Sequence, residues 1–217
     1  MNRKEAFIKH YNENLFRGEM SKSGPGSDPQ NTKTLKEELI KLIKDLKINS
    51  VLDAPCGDFY WMRDVIHSLP TIEYCGLDIV PDLIKSNNNS YQAKNIIFKT
   101  HDLVDNSFNN YHYNLFFCRY CLVHLSFDSI RRVLSNFVQS DIPYLLTTTF
   151  TRDSRNNMDW EDGTNWFPLN LMKAPFNLPL PKILINENCV ERDKDGDYAD
   201  KCLGLWTREE LQRVGIN

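Results

Sequence analysis

The chain has 217 residues, 41% of them hydrophobic, 25% charged and 12% aromatic, with a net charge of −3. A chain of this length can bury roughly 70% of its unfolded surface in one core, so neither a metal nor disulfides are needed to hold it together. The composition excludes a disordered chain, lacks the basic excess of a nucleic-acid binder, and contains no run approaching the ~20 apolar residues of a membrane span.

The first element, Arg3 to Phe16, carries Ala6, Phe7, Ile8, Tyr11 and Leu15 in an approximate helical stripe. It has no apolar region of the kind a secretory signal needs, so a cytoplasmic protein is expected, with its six cysteines as reduced thiols. Gly18 to Ser27 is rich in Gly, Ser and Pro and reads as a loop. Leu35, Leu39, Leu42, Ile43 and Leu46 share one face, which makes Asp28 to Lys47 an amphipathic helix.

From Asn49 short apolar runs alternate with helical stretches. The runs Ser50–Ala54, Ile72–Asp78, Asn95–Thr100, Tyr113–Cys118 and Tyr144–Thr149 read as strands. Helices are expected over Phe59–Ser68, from Pro81, and over Asp128–Val138. This alternation predicts a Rossmann-like, doubly wound α/β fold, mainly parallel, with helices on both faces of the sheet. Lys182–Asn188 and Lys201–Trp206 complete seven strands around a polar turn, Arg192 to Asp200, before a capped helix from Thr207 to Val214. Residues 1–48 are expected to form an N-terminal helical cap with a loop, and 49–217 the sheet domain. Within it, Pro-rich residues 151–181 form an insertion on the substrate side.

Ligands of such a sheet bind where the strand order reverses, at the carboxyl ends of the strands. The first turn there is Val51-Leu-Asp-Ala-Pro-Cys-Gly-Asp58, with one glycine and two carboxylates. Two aspartates repel a pyrophosphate and suit a cationic ligand. Asp78 closes the second strand, where a carboxylate accepts both hydroxyls of a ribose. Asp102, after the third strand, is placed to face the amino group of an adenine. Adenosine, a ribose diol, a positive centre and no phosphate together describe S-adenosylmethionine. The same carboxylates weigh against a nicotinamide-dependent oxidoreductase, whereas a non-catalytic module binding the same ligand stays open.

The first-turn run, the strand ending Gly76-Leu-Asp78 and the segment Phe117-Cys-Arg-Tyr-Cys-Leu-Val-His-Leu125 resemble a class I S-adenosylmethionine-dependent methyltransferase over about Ser50 to Phe150. The usual glycine-rich first motif is altered here, with Pro55 and Phe59 at its first and last glycine places. The resemblance implies that Asp53, Pro55 and Gly57 hold the methionine end of the cofactor, Asp78 and Ile79 the ribose, and Asp102 with Leu103 the adenine. Cys118 and Arg119 would floor the methyl-transfer site, and Ser23 and Gly24 would close over the cofactor carboxylate. S-adenosylhomocysteine would be the product. The run Asn165-Trp-Phe-Pro-Leu-Asn-Leu171, with Pro175 to Pro181, also resembles small bacterial methyltransferases found in gene clusters for surface polysaccharides, some bearing methylated phosphoramidate groups.

A small polar acceptor methylated on oxygen, a sugar or a phosphorylated metabolite, is therefore expected. A neutral hydroxyl needs a base, for which His124, Tyr120, Asp159, Glu161 and Asp162 are the candidates. An anionic acceptor needs cations instead, from Arg119, Arg152 and Arg155. Trp160 and Trp166 are expected to cover the acceptor pocket. Cys118-x-x-Cys121 lacks further ligands at sensible spacing and reads as buried thiols, and Asp193 to Asp197 reads as a hairpin turn despite a calcium-loop flavour. No metal is expected, and the oligomeric state is left open.

Overall fold

The apolar runs become the strands of one seven-stranded sheet in the computed structural model, which describes residues 1–190, 192–193 and 196–216. The strands are β1 (Ser50–Asp53), β2 (Glu73–Asp78), β3 (Ile96–Thr100), β4 (Leu115–Cys118), β5 (Tyr144–Phe150), β6 (Ile183–Asn186) and β9 (Lys201–Thr207). A separate two-residue pair, β7 (Arg192–Asp193) and β8 (Gly196–Asp197), lies in the expected polar turn. Lys194 and Asp195, within the run read as a hairpin turn, fall outside the described residues.

The sheet order is β3-β2-β1-β4-β5-β9-β6. Strands β1 to β5 pair in parallel, whereas β9 runs antiparallel between β5 and β6. Parallel strands need helical crossovers, and a sheet covered on both faces reads as continuous apolar runs; β1 and β4 are buried at every position.

The pleat divides the core in two. Val51, Tyr74, Leu115 and Phe117 point to the face covered by α2 (Pro29–Asp45), α3 (Met62–His67) and α4 (Pro81–Tyr91). Leu52, Cys75, Phe116 and Cys118 point to the other face, against α5 (Phe127–Gln139) and α6 (Arg208–Arg213). The order reverses between β1 and β4, so the crevice for a ligand opens there. The N-terminal helix, α1 (Arg3–Glu13), covers neither sheet face; it lies across that crevice, and Phe7 and Tyr11 line it.

One expectation needs correction. The helix expected from Phe59 begins at Met62 because Phe59 is left-handed, with φ of 59°, and cannot continue a helix. Its ring sinks among Tyr74, Tyr91 and Phe98, with centroids 4.9 to 5.4 Å away, and this packing holds the unfavourable backbone. Residues 151–181 contain no helix or strand, yet Leu169, Leu171, Phe176 and Leu178 are buried in the α5 face of the core. Among the described residues no helix is long and apolar enough to cross a membrane.

Candidate active site at the switch point of the sheet

A cavity of about 580 Å³ opens at the carboxyl ends of β1 to β4. Its floor begins with the turn after β1, where the Ala54–Pro55 bond is cis. Gly57 holds φ of +54°, and a Cβ there would lie 2.2 Å from Ser23 Oγ. Glycine is therefore required twice over, for the backbone and for the approach of the N-terminal loop. Asn87 Nδ2 donates to the Gly57 carbonyl at 2.8 Å and holds the turn against α4.

Two carboxylates on this floor are buried. Asp53 accepts a hydrogen bond from the Tyr74 hydroxyl at 2.6 Å. Burial, with nearby Asp78 adding to it, still pushes its carboxyl up to about 8. Asp78 accepts from the amides of Gly57 (3.2 Å) and Val80 (3.0 Å), and burial pushes it up to about 6 despite these donors. A positive ligand arriving beside such groups would restore their charge. Of the residues the sequence nominated for the cofactor, Asp53, Pro55, Gly57, Asp78, Ile79, Asp102, Leu103, Arg119, Ser23 and Gly24 all line this cavity.

Cys118 does not. It sits on the face of β4 that turns with Phe116 toward α5, and its carbonyl accepts from Thr147 Oγ1 at 2.7 Å. Strand alternation leaves Phe117 and Arg119 as the lining residues instead. Cys121 lines the cavity as a free thiol hydrogen-bonded to Cys118, and this contact, with burial, pushes its thiol up. Among the described residues no group of three or more His, Cys, Asp or Glu is arranged to hold a metal.

Rings wall the opposite end of the cavity. His124 contacts Phe16 (centroids 5.2 Å apart) and Tyr120 (6.3 Å), Tyr120 contacts Trp166 (6.0 Å), and Trp166 contacts Tyr198 (5.0 Å). His124 Nδ1 lies 3.1 Å from the Asn165 carbonyl oxygen. A carbonyl can only accept, so Nδ1 carries the proton and Nε2 keeps a lone pair. Burial lowers the imidazole to about 4. Tyr120 is left-handed, with φ of 58°, and its amide donates to Thr148 Oγ1 at 2.8 Å.

The arginines nominated for an anionic acceptor are otherwise engaged. Arg119 grips Glu187 in a fork, at 2.7 and 3.3 Å, and donates to the Gly26 carbonyl at 2.9 Å. Lys201, fully buried, lies 3.4 Å from the same Glu187 and 4.5 Å from the Tyr120 ring centroid. Burial alone would raise Glu187, but Arg119 and Lys201 hold it below the usual carboxylate range. Arg152 pairs with Asp197 at 2.6 Å and Arg155 with Asp200 at 2.8 Å, and neither lines the cavity. Trp160 lies in a separate surface depression with Met1 and Glu161, so of the two tryptophans only Trp166 reaches the cavity. Asp159 and Asp162 accept from the amides of Phe127 and Ser126 at 2.7 Å at the start of α5, and neither lines the cavity.

Sequence reasoning missed Arg3, Asp58 as a docking group, Glu187 and Lys201. Arg3 contacts Asp102 (2.8 Å), Asp105 (2.6 Å) and Asp162 (2.9 Å). These partners are distant in sequence, and only an unusual polar residue inside an apolar strand, Lys201 in β9, offered any signal.

A family model described as a methyltransferase domain matches residues 51–140. The methyltransferase domain of bacterial CtHen1 superposes with a TM-score of 0.56 at 12% identity, over 82% of this chain and 98% of that one, which shows a shared fold. The methyltransferase SibL has a TM-score of 0.48 at 16% identity, over 58% of this chain and 39% of its own. A putative sarcosine dimethylglycine methyltransferase from Galdieria sulphuraria gives 0.47 at 16% identity, over 56% and 49%. The chain thus spans less than half the length of these last two proteins. No curated protein sequence matches it. The matched stretch holds the β1 turn, Asp78, Asp102 and the β4 end, and over residues 51–140 the chain is similar to a methyltransferase domain.

Proposed function

We propose that the domain methylates a hydroxyl of a small polar acceptor, with a sugar as the leading candidate. In this reading Asp53 and Gly57 hold the methionine end of the cofactor, Asp78 with Ile79 the ribose, and Asp102 with Leu103 the adenine. The raised carboxyls of Asp53 and Asp78 fit a ligand that brings a positive charge and a diol. S-adenosylmethionine supplies an activated methyl group, so the chain's own task is to hold the acceptor in line and exclude water. Proximity and orientation of this kind can account for ~7–11 kcal/mol of a barrier.

The observation that carries the choice of acceptor is the ring-lined end of the cavity with His124 among the rings. Aromatic faces suit the apolar faces of a sugar ring, and the Nε2 lone pair of a neutral imidazole suits a hydroxyl proton. The engagement of Arg119, Arg152 and Arg155 by carboxylates weighs against a strongly anionic acceptor. A phosphorylated or phosphoramidate-type acceptor is the second reading, favoured by the gathering of Arg119 and Lys201 at Glu187 behind Tyr120. A role in surface-polysaccharide synthesis rests on the sequence resemblance alone.

The test is product formation from S-adenosylmethionine with a panel of free sugars, nucleotide sugars and phosphorylated metabolites, read by mass spectrometry. A methyl ether on a sugar carbon supports the reading. Methylation only of a phosphate-type oxygen replaces it with the second. Cofactor binding without product from any acceptor points to a non-catalytic module.

A further inference from the structure

The N-terminal segment is fastened at two places on the cavity rim, and each place belongs to a different end of the ligand site. At one, Asp58 accepts hydrogen bonds from Ser21 Oγ (2.9 Å), the Lys22 amide (2.9 Å) and Ser23 Oγ (3.3 Å). The Asp58 amide donates in return to Ser23 Oγ at 3.1 Å. Lys22 to Ser27 then run along the cavity, and Gly26 is tied to Arg119. At the other, Arg3 forks between Asp102 and Asp105 on one side and Asp162 on the other, which fixes the start of α1 beside the end of β3. Phe7, Tyr11, Leu15 and Phe16, all between the two fastenings, line the cavity.

We infer that Asp58 and Arg3 are positioning residues that hold residues 3–27 as a roof, Asp58 over the methionine end of the cofactor and Arg3 over the adenine end. The inference rests on the assignment of Asp53 and Gly57 to the methionine end and of Asp102 to the adenine end. Asp58 acts through the loop: three of its contacts are to Ser21, Lys22 and Ser23, and the tight fit of Ser23 against Gly57 follows from them. Arg3 acts through Asp102, whose other oxygen already accepts from the amides of Val104 (2.9 Å) and Asp105 (3.3 Å), so that one carboxylate is fixed from both sides. Several charge-assisted hydrogen bonds at each fastening make the roof costly to lift and slow to reopen.

Two ligands separate the ends. S-adenosylhomocysteine carries the whole amino-acid arm, whereas 5′-methylthioadenosine keeps only the nucleoside and a methylthio group. Titration calorimetry on the full chain would compare wild type with Asp58→Ala, Ser21→Ala and Arg3→Ala. Ser21 bonds to Asp58 but does not line the cavity, so Ser21→Ala probes the roof without touching the ligand site. Asp58→Ala and Ser21→Ala are expected to weaken S-adenosylhomocysteine roughly tenfold while leaving 5′-methylthioadenosine within about twofold. Retained binding of the second ligand also reports that these variants are folded. Arg3→Ala is expected to weaken both ligands by a similar factor and to speed their release in stopped-flow displacement, with Arg3→Lys intermediate because it keeps the charge and loses the fork. Loss confined to Asp58→Ala, with Ser21→Ala like wild type, would overturn the roof at that end and make Asp58 a direct ligand. Equal loss of both ligands in Asp58→Ala, or unchanged binding and release in Arg3→Ala, would overturn the inference as well. Failure of the wild type to bind either ligand would instead overturn the cofactor assignment beneath it.

Discussion

With Asp53 at the methionine end of the cofactor, as proposed, its buried carboxyl would make cofactor binding depend on pH in a direction that can be worked out. Its pKa of about 8 leaves it about nine-tenths protonated at pH 7, and Asp78, at about 6, is mostly ionised there. A ligand with an ammonium group needs Asp53 as the anion. The ionised fraction of Asp53 rises about ninefold from pH 6 to pH 7 and about fivefold from pH 7 to pH 8, so the affinity for S-adenosylhomocysteine should rise about 50-fold in all, worth about 2.3 kcal/mol. Calorimetry in two buffers of different ionisation enthalpy should then count close to one proton released per ligand at pH 7. The free protein should show the opposite slope. Asp53 binds its proton more tightly folded than unfolded, so stability falls as pH rises from the ordinary carboxylate range toward about 8. Tyr74→Phe removes the 2.6 Å hydrogen bond to the carboxylate and raises Asp53 further. Since such a bond is worth about 1.5–3 kcal/mol, binding at pH 7 should weaken roughly 10- to 100-fold, with part of the loss recovered at higher pH. A dissociation constant that stays level from pH 6 to pH 8, with no proton released, would refute this account of Asp53.

Three further predictions follow from the same site. Gly57→Ala places a Cβ at a backbone φ of +54° and against Ser23 Oγ; it should lower stability by about 1 kcal/mol or more, seen as ~2–4 °C in a thermal melt, and abolish tight cofactor binding. Arg119→Ala leaves Glu187 buried without its forked partner and should cost about 3–5 kcal/mol in urea unfolding, whereas a loss under 1 kcal/mol would show that the pair is not structural. His124→Ala should lower kcat at least ~10²-fold toward a hydroxyl acceptor while leaving the cofactor dissociation constant within about twofold; because the imidazole titrates near 4, its protonation should produce no acid limb above pH 5 in the wild type.

The fold was legible because its signals are local. Strands β1 and β4 are short runs whose side chains all face a core, and helices α2, α4 and α5 each carry an apolar stripe with a proline or a capping side chain at the start. The carboxylates at the strand ends were legible for a related reason: in a doubly wound sheet the end of a strand is itself a location, so position in the chain translates into position in the site. Even there the pleat had to be respected. Neighbouring residues on β4 face opposite ways, which is why Phe117 and Arg119 reach the cavity and Cys118 does not.

What the sequence could not determine was which charges meet. Asp53, Gly57, Asp78 and the helical stripe of Phe7 and Tyr11 follow from local pattern and fold rule. The pairing of Arg3 with Asp102 and Asp162, of Arg119 and Lys201 with Glu187, and of Arg152 and Arg155 with Asp197 and Asp200 joins residues far apart in the chain. Sequence alone makes Arg119, Arg152 and Arg155 candidates for holding an anion, because a charge has no preferred partner until the chain is folded. Burial then decides: removing a charge from water is costly unless an opposite charge and hydrogen bonds replace the solvent, so the tertiary structure commits these cations to carboxylates. It likewise lays the N-terminal helix across the crevice, where an apolar stripe that reads as ordinary core becomes the roof of the site.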